Sequence, residues 1–190
     1  MIESRHLIDR IISGDREAFQ LFVEQYQRLV GHIVFRMIDN KDDREDICQE
    51  VFLKVYQNLS EFRSQSRLST WIGAIAYNTS VNYLQKKKHQ PLDILHNDEG
   101  ETDDLGTLET PPDDRMEQFD LSFNLHREIE KIPPHYRTVL TLYHLDEMTY
   151  SEIGLITKMP EGTVKSYLFR ARRILKERLL ARFAQEDLCR

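Results

Sequence analysis

Residues 148–173 constrain the fold more than any other part of this 190-residue chain. Thr149 is followed three residues later by Glu152, the capping-box spacing that satisfies two unpaired backbone donors at a helix start. The short helix that begins here must end before Pro160, which cannot continue it but suits the first position of the next helix. Two helices joined by so tight a turn predict a helix-turn-helix.

The second of these helices has two unlike faces when its residues are placed 100° apart. One face is apolar and is expected to pack on the rest of the domain: Val164, Leu168, Ala171 and Leu175. The opposite face carries Lys165, Ser166, Phe169, Arg170 and Arg173. An aromatic ring among cations suits a DNA groove, where it can touch a thymine methyl while Lys and Arg bond base edges. The alternative is that Phe169 covers a neighbouring loop.

Positive charge is concentrated around the same helix. Residues 160–182 contain seven Lys and Arg but only two Glu. Phosphate contacts are therefore expected there, including one from Arg178, although a basic helix taken alone is also an ordinary solvated face.

The chain as a whole is acidic, with a net charge of −6, and the acidity is local. Residues 1–88 carry 13 Lys and Arg against 12 Asp and Glu, residues 89–117 one Arg against 10 acids, and residues 118–190 12 against 10. The middle stretch also contains several Pro and Gly, which predicts a flexible acidic linker. We therefore expect two small helical domains, 1–88 and 118–190, each with its own core.

Several classes of function have no support in the sequence. Cys48 and Cys189 lack metal-ligand spacing and suggest a reducing compartment. The seven histidines show no paired ligand spacing, and no nucleophile elbow or phosphate-binding glycine loop is present. We expect no catalytic, metal or cofactor site. Without a signal peptide or a run of about 18 apolar residues, a cytoplasmic protein with no membrane insertion is expected.

The N-terminal half is predicted to be helical throughout. Gly14 is predicted to form a turn and Asp15 to cap the following helix. They separate two stretches of apolar residues at helical spacing, which we interpret as core. A third helix is expected to start with Asp42 as its cap. On that helix Asp46, Gln49, Glu50 and Leu53 share one face at i, i+3, i+4 and i+7. This strip suits a partner protein, and a plain solvated face is the alternative.

A polar loop and a further helix follow. Residues 61–69 form the loop, and Trp71, Asn78 and Asn82 lie along one flank of the helix that starts near Thr70. Amide side chains bond base edges and an indole can stack on an unpaired base, so this flank suits single-stranded DNA. Burial of Trp71 in the core is the alternative.

Four segments together resemble a known family, the extracytoplasmic-function (ECF) sigma factors of bacterial RNA polymerase. They are Asp-Ile-Cys-Gln-Glu-Val-Phe at 46–52, Phe-Arg-Ser-Gln-Ser-Arg-Leu-Ser-Thr-Trp at 62–71, Ile-Ala-Tyr-Asn at 75–78, and the helix-turn-helix at 149–173. Their order and spacing are specific, and the resemblance covers nearly the whole chain except the linker.

The resemblance implies an all-α, two-domain initiation factor without chemistry of its own. Asp46, Gln49, Glu50 and Leu53 would bind core RNA polymerase. The residues implied at the −10 promoter element are Phe62, Arg63, Ser66, Arg67, Trp71, Asn78 and Asn82. Those implied at the −35 element are Lys165, Ser166, Phe169, Arg170 and Arg173. An anti-sigma factor, often membrane-anchored in this family, would be a further partner.

Two departures from the family pattern concern the −35 element. Many relatives have arginine where this chain has Lys165, and lysine cannot make arginine's forked contact to guanine. Tyr167 occupies a position that is often basic. A free-standing dimeric helix-turn-helix regulator remains the alternative function, and it would need a sensor or dimerisation domain in place of the N-terminal half.

Overall fold

The computed structural model describes residues 2–89 and 125–188, and every regular element in those two ranges is helical. The all-α prediction is therefore confirmed. Apart from His89, the predicted linker 89–117 lies outside the described residues. The helices are α1 (Ile2–Ile12), α2 (Arg16–Met37), α3 (Lys41–Asn58), α4 (Leu68–His89), α5 (described over 125–130), α6 (Pro134–His144), α7 (Tyr150–Thr157) and α8 (Glu161–Leu188).

The turn between α1 and α2 has the predicted chemistry. Gly14 adopts a φ of +91°, which favours glycine, and Asp15 caps α2 by accepting a hydrogen bond from the Ala18 amide at 3.0 Å. The Ala18 amide and then the Arg10 side chain lower the pKa of Asp15. Helix α2 consequently starts at a defined residue and can present one continuous buried face.

The predicted start of α3 is wrong by two residues. Asn40 is the cap, because its side-chain oxygen accepts from the Asp43 amide at 3.0 Å, and Asp42 lies within the first turn. At that position the Asp42 carboxylate faces the positive end of the helix dipole. The faces of α3 follow from its period and are unaffected by this shift.

The helix-turn-helix comprises α7 and α8. Both hydrogen bonds of the capping box are present at Thr149 and Glu152. Lys158 ends α7 in a left-handed conformation with a φ of 58°. A Cβ at Gly154 would lie 2.8 Å from the Met159 carbonyl oxygen, so the turn requires glycine there. Helix α8 begins at Glu161, and Pro160 immediately precedes it instead of occupying its first position.

The N- and C-terminal halves pack against each other through α2 and α4 on one side and α6 and α7 on the other. At the closest approach, a Cβ on Gly73 of α4 would lie 2.9 Å from Cδ1 of Ile156 in α7. The buried apolar residues of both halves form one cluster, which includes Ile33, Ile72 and Ile156. The prediction that each half buries its own core is thus incomplete, because each core continues into the junction.

Polar side chains also cross the junction. Arg137 of α6, only 4% exposed, donates to the carbonyl of Arg36 and bonds Asp39 at 2.6 Å. A second carbonyl, that of Glu130, accepts from the same side chain, and these three acceptors satisfy a buried guanidinium that would otherwise be costly to desolvate. His32 Nδ1 lies 2.9 Å from an oxygen of Asp146. These contacts specify one arrangement of the two halves.

Candidate functional site

Helix α3 presents the predicted docking strip to solvent. All four of its residues, Asp46, Gln49, Glu50 and Leu53, are exposed. Leu53 is 61% exposed even though it is a large apolar side chain. Burial of Ile47, Val51 and Val55 on the opposite side fixes the rotation of the helix. The strip therefore combines two acids and an amide with one apolar side chain open to a partner.

The inner side of α3 explains the role of Cys48. Burial, and then the nearby Glu45 carboxylate, raise the pKa of the Cys48 thiol to about 11. The thiol therefore stays protonated at neutral pH and packs as a small apolar group. Among the described residues, no group of three or more His, Cys, Asp or Glu could hold a metal ion.

The loop between α3 and α4 begins with a three-residue 3₁₀ helix, Leu59–Glu61. Phe62 packs on Trp71 with ring centroids 5.4 Å apart. Trp71 is half-buried, so its side chain is only partly covered. Arg63 and Arg67 are exposed, and Arg67 forms an ion pair with Glu152 of α7 at 3.2 Å. The loop thus offers cations beside an aromatic pair, and one of those cations already has a partner.

The two asparagines of α4 differ in their surroundings. Asn78 is half-buried and donates from Nδ2 to the Ala74 carbonyl at 2.6 Å, whereas Asn82 is exposed. The amide oxygen of Asn78 remains available for another donor. Asn82 lines a surface cavity of about 610 Å³ between α3 and α4, together with Glu50, Lys54 and Lys86.

Lys54 is a residue that the sequence reasoning missed. Its ammonium lies 2.6 Å from the Glu50 carboxylate and 3.2 Å from the Thr79 hydroxyl. Lys54 therefore joins the docking strip on α3 to α4, beside the cavity that Asn82 lines. The i,i+4 spacing to Glu50 is visible in the sequence, but the contact with Thr79 depends on how α3 packs on α4.

Helix α8 presents the predicted face for DNA. We call its exposed residues the reading face: Lys165, Ser166, Phe169, Arg170 and Arg173. Phe169 is 67% exposed, so it does not cover a neighbouring loop. Val164, Leu168 and Ala171 are buried on the other side, which holds the reading face outward.

Tyrosines border the reading face on both flanks, and the sequence reasoning missed their role. On one flank, Lys165 Nζ lies 5.4 Å from the ring centroid of Tyr150, which stacks on Tyr143. On the other flank, Arg170 donates to the Tyr136 hydroxyl at 3.4 Å. Their only sequence signal was the number of tyrosines near the helix-turn-helix. Their proximity to Lys165 and Arg170 depends on how α6 and α7 pack on α8.

Arg178, for which a phosphate contact is predicted from the sequence, lies beyond the reading face and has a carboxylate partner within the protein. Arg178 and Arg182 lie 3.8 Å and 3.5 Å from the carboxylate of Glu128 in α5. Glu128 is only 4% exposed, and the Lys131 hydrogen bond is the main cause that lowers its pKa. These arginines compensate a buried carboxylate and connect α5 to the distal part of α8.

Two family models match the chain, one to each half. Residues 22–90 match the model described as Sigma-70 region 2, and residues 122–175 match Sigma-70, region 4. Together the two segments cover most of the chain.

Within residues 2–89 and 125–188, every helix is too short or too polar to span a lipid bilayer.

Curated relatives match the chain over nearly its full length. An ECF RNA polymerase sigma-E factor of Haemophilus influenzae is 35% identical, covering 91% of this chain and 93% of the relative. The ECF RNA polymerase sigma factor SigW of Bacillus subtilis is 34% identical, covering 94% and 97%.

Solved structures agree on the fold. The sigma factor RpoE from Bartonella quintana, determined in complex with the anti-sigma factor NepR, matches with a TM-score of 0.65 at 19% identity, covering 85% of this chain and 96% of that one. CnrH in complex with the cytosolic domain of CnrY matches with a TM-score of 0.61 at 18% identity, covering 93% and 97%. On the strength of the curated relatives and the two family models, the chain belongs to the ECF sigma factors of the sigma-70 family.

Proposed function

We propose that this chain is an alternative sigma factor that directs RNA polymerase to specific promoters through separate contacts at the −10 and −35 elements. The chemistry of RNA synthesis belongs to the polymerase, and the chain acts only by binding, without a cofactor. It works in the cytoplasm, where polymerase and promoter DNA are found. Membership of the family and the three exposed surfaces described above support this proposal.

The docking strip on α3 binds core RNA polymerase. Its acids suit a basic partner surface, and Leu53 supplies an apolar contact that a free surface does not need. Because all four side chains of the strip are exposed on the folded helix, binding requires no local unfolding of α3.

The loop before α4 and the flank of α4 bind the −10 element and stabilise its melted form. Phe62 and Trp71 provide rings beside which a flipped base can stack, and Arg63, Ser66 and Arg67 can contact the backbone. Asn78 and Asn82 provide amides for base edges. For Arg67 to reach DNA, its ion pair with Glu152 must open.

The reading face of α8 binds the −35 element in the major groove. The exposure of Phe169 among Lys165, Ser166, Arg170 and Arg173 is the observation that carries this assignment, because burying the ring in a groove removes an otherwise unfavourable exposed apolar surface. Lys and Arg then bond base edges on either side of it.

We further propose that residues 1–88 and 118–190 act as two units that separate on the promoter. The two elements lie about 25 base pairs apart, which is about 85 Å of DNA. In the packed arrangement Arg67 of the −10 loop lies 3.2 Å from Glu152 of α7, and Tyr150 of the same helix contacts Lys165 of the reading face. The two surfaces are therefore too close together to reach both elements. The 29 residues from 89 to 117 can span at most about 100 Å, which is sufficient.

An anti-sigma factor is the expected regulatory partner. The solved neighbours from Bartonella quintana and of CnrH are both complexes, the first with a named anti-sigma factor. A membrane-anchored protein that covers the docking strip or the reading face would hold this chain away from polymerase.

Transcription with reconstituted holoenzyme tests the assignment. The wild-type holoenzyme first selects promoters from a random library. Promoter binding and transcription are then measured on these promoters for wild type, Phe169→Ala and Leu180→Ala. Leu180 is a matched control because it is 59% exposed on the same helix, about 16 Å beyond Phe169. We expect only Phe169→Ala to lower promoter binding. Equal effects of the two variants would contradict the reading face, and tight binding of the isolated protein to a palindrome as a dimer would favour the free-standing regulator.

A further inference from the structure

Lys165 has a defined neighbour before any DNA is present. Its ammonium lies 5.4 Å from the centroid of the Tyr150 ring, within the range of a cation–π interaction. Lys165 itself is exposed, and the contact joins α8 to the first residue of α7. Tyr150 is thus in contact with one member of the reading face without belonging to it.

The ring of Tyr150 is itself held in place. It stacks on Tyr143 with centroids 5.3 Å apart and planes inclined by only 11°. Its backbone follows Thr149, whose amide donates to Glu152 at 2.9 Å in the capping box. A hydrogen bond with Tyr143 is the main cause that raises the pKa of Tyr150, so the phenol stays neutral at physiological pH. The electron-rich ring face is therefore both fixed and available.

Lysine needs such support more than arginine would. An arginine at this position carries a rigid planar fork of donors, whereas a lysine carries a point charge on four rotatable bonds. A flexible lysine loses conformational entropy on contact and discriminates bases poorly, because its ammonium can reach several acceptors. Restricting the ammonium to one location before binding reduces both disadvantages.

We propose that Tyr150 is a positioning residue that holds Lys165 over one −35 base and so determines the base preferred there. This inference rests on the proposed reading of the −35 element by Lys165. Tyr143 supports it indirectly by fixing the Tyr150 ring.

The test uses full-length protein in reconstituted holoenzyme, bound to a promoter library randomised across the −35 element. Lys165→Ala first identifies the base position that Lys165 reads. At that position we expect Tyr150→Leu to lower discrimination by about two- to fivefold, with preferences elsewhere unchanged. Tyr150→Phe keeps the ring and is expected to retain the preference. The double variant Lys165→Ala with Tyr150→Leu should lose no more than Lys165→Ala alone.

A variant on the opposite flank serves as the matched control. Tyr136→Phe removes the hydroxyl that accepts from Arg170 and should leave the position read by Lys165 unchanged. An NMR measurement on wild type supports the test independently of any variant. The ε-methylene protons of Lys165 should be shifted upfield by the ring relative to those of Lys176, which is also exposed on α8.

Each contrary result has a distinct meaning. No change in preference with Lys165→Ala would overturn both the proposed reading and this inference. A Tyr150→Leu variant that weakens all sequences alike, an additive double variant, or equal losses with Tyr150→Phe and Tyr150→Leu would overturn the inference alone. Absence of the upfield shift would overturn it even if Tyr150→Leu failed to fold.

Discussion

The docking strip on α3 and the reading face on α8 look alike in outline but differ in how their side chains are held. Each places one large apolar residue among polar ones, Leu53 at 61% exposure and Phe169 at 67%. On α3, Glu50 forms an ion pair with Lys54, one turn away on the same helix, and Lys54 also donates to Thr79 of α4. On α8, Lys165 and Arg170 are each in contact with a tyrosine from a different helix.

This difference follows from what each surface has to recognise. A protein partner offers a large area, and many contacts of moderate quality are enough to hold it. A base pair offers two or three atoms, so a side chain must be placed to within a fraction of an ångström to distinguish it. The structure accordingly pairs Glu50 of the docking strip within its own helix, whereas Lys165 and Arg170 of the reading face contact tyrosines of other helices directly.

The largest expected effect concerns the docking strip. Gln49→Ala combined with Glu50→Lys should weaken core polymerase binding by about a hundredfold, because a cation then faces a basic partner surface. Thermal stability should hardly change, since both side chains are exposed. Titration of labelled core polymerase measures the affinity. Glu24→Lys, a charge reversal at an exposed position of α2, is the control and should leave the affinity unchanged. Unchanged affinity in the double variant would refute the assignment of the docking strip.

The next effect separates base reading from helix support on α8. Arg170→Ala should lower affinity for the selected −35 sequence by about five- to a hundredfold and relax one base position. Arg178→Ala should instead lower the melting temperature, because it removes a cation near the buried Glu128 carboxylate. Competition binding and thermal melting distinguish the two outcomes. A uniform loss of DNA affinity with unchanged stability in Arg178→Ala would instead support the phosphate contact predicted from the sequence.

A more moderate effect is expected at the −10 surface. Asn78→Ala should slow open-complex formation on duplex promoters by about tenfold, equivalent to part of the few kcal/mol needed to unstack a base. On a template already mismatched across the −10 element the defect should be smaller, because the unstacking cost is absent. Permanganate footprinting measures the opening. Equal defects on both templates would indicate faulty folding or docking instead.

The smallest effect concerns how the stability of the protein depends on pH, through Glu152 in the capping box of α7. Burial raises the pKa of Glu152, but hydrogen bonds from the Thr149 amide and hydroxyl, with the Arg67 charge, outweigh burial and leave the pKa lowered. A carboxyl whose pKa is lowered by folding stabilises the protein above its unfolded pKa, and this contribution is lost as the pH falls through the folded pKa. Below about pH 4.5, wild type should therefore lose stability more steeply than Glu152→Gln.

Denaturant melts at pH 3 to 7 test this slope. At pH 7 the Gln variant should be less stable by about 0.5 kcal/mol, because Gln can still complete the capping box and only the favourable negative charge at the helix N-terminus is lost. Parallel slopes for both proteins would show that Glu152 does not contribute. Gln49→Ala, on the docking strip, is the control that should keep the wild-type slope.

Sequence patterns were sufficient for the faces of individual helices. The spacing of Asp46, Gln49, Glu50 and Leu53 predicted a shared exposed face, and the structure has it. The predicted cap of α3 was wrong because residues 39–43 offer several capping side chains in a row, and only the backbone geometry selects Asn40. The roles of the site residues in binding polymerase and DNA stay predictions.

The sequence alone determined the helices, their buried and exposed faces and the helix-turn-helix, because caps and a period of 3.6 residues act over short stretches of chain. Tertiary structure decided which side chain each cation contacts. Lys165 lies over the Tyr150 ring, Arg178 pairs with Glu128, and Arg137 pairs with Asp39. It also decided that the two halves meet at Gly73 and Ile156. Contacts between residues so distant in the chain leave no periodic signal in the sequence, since they depend on how whole helices pack.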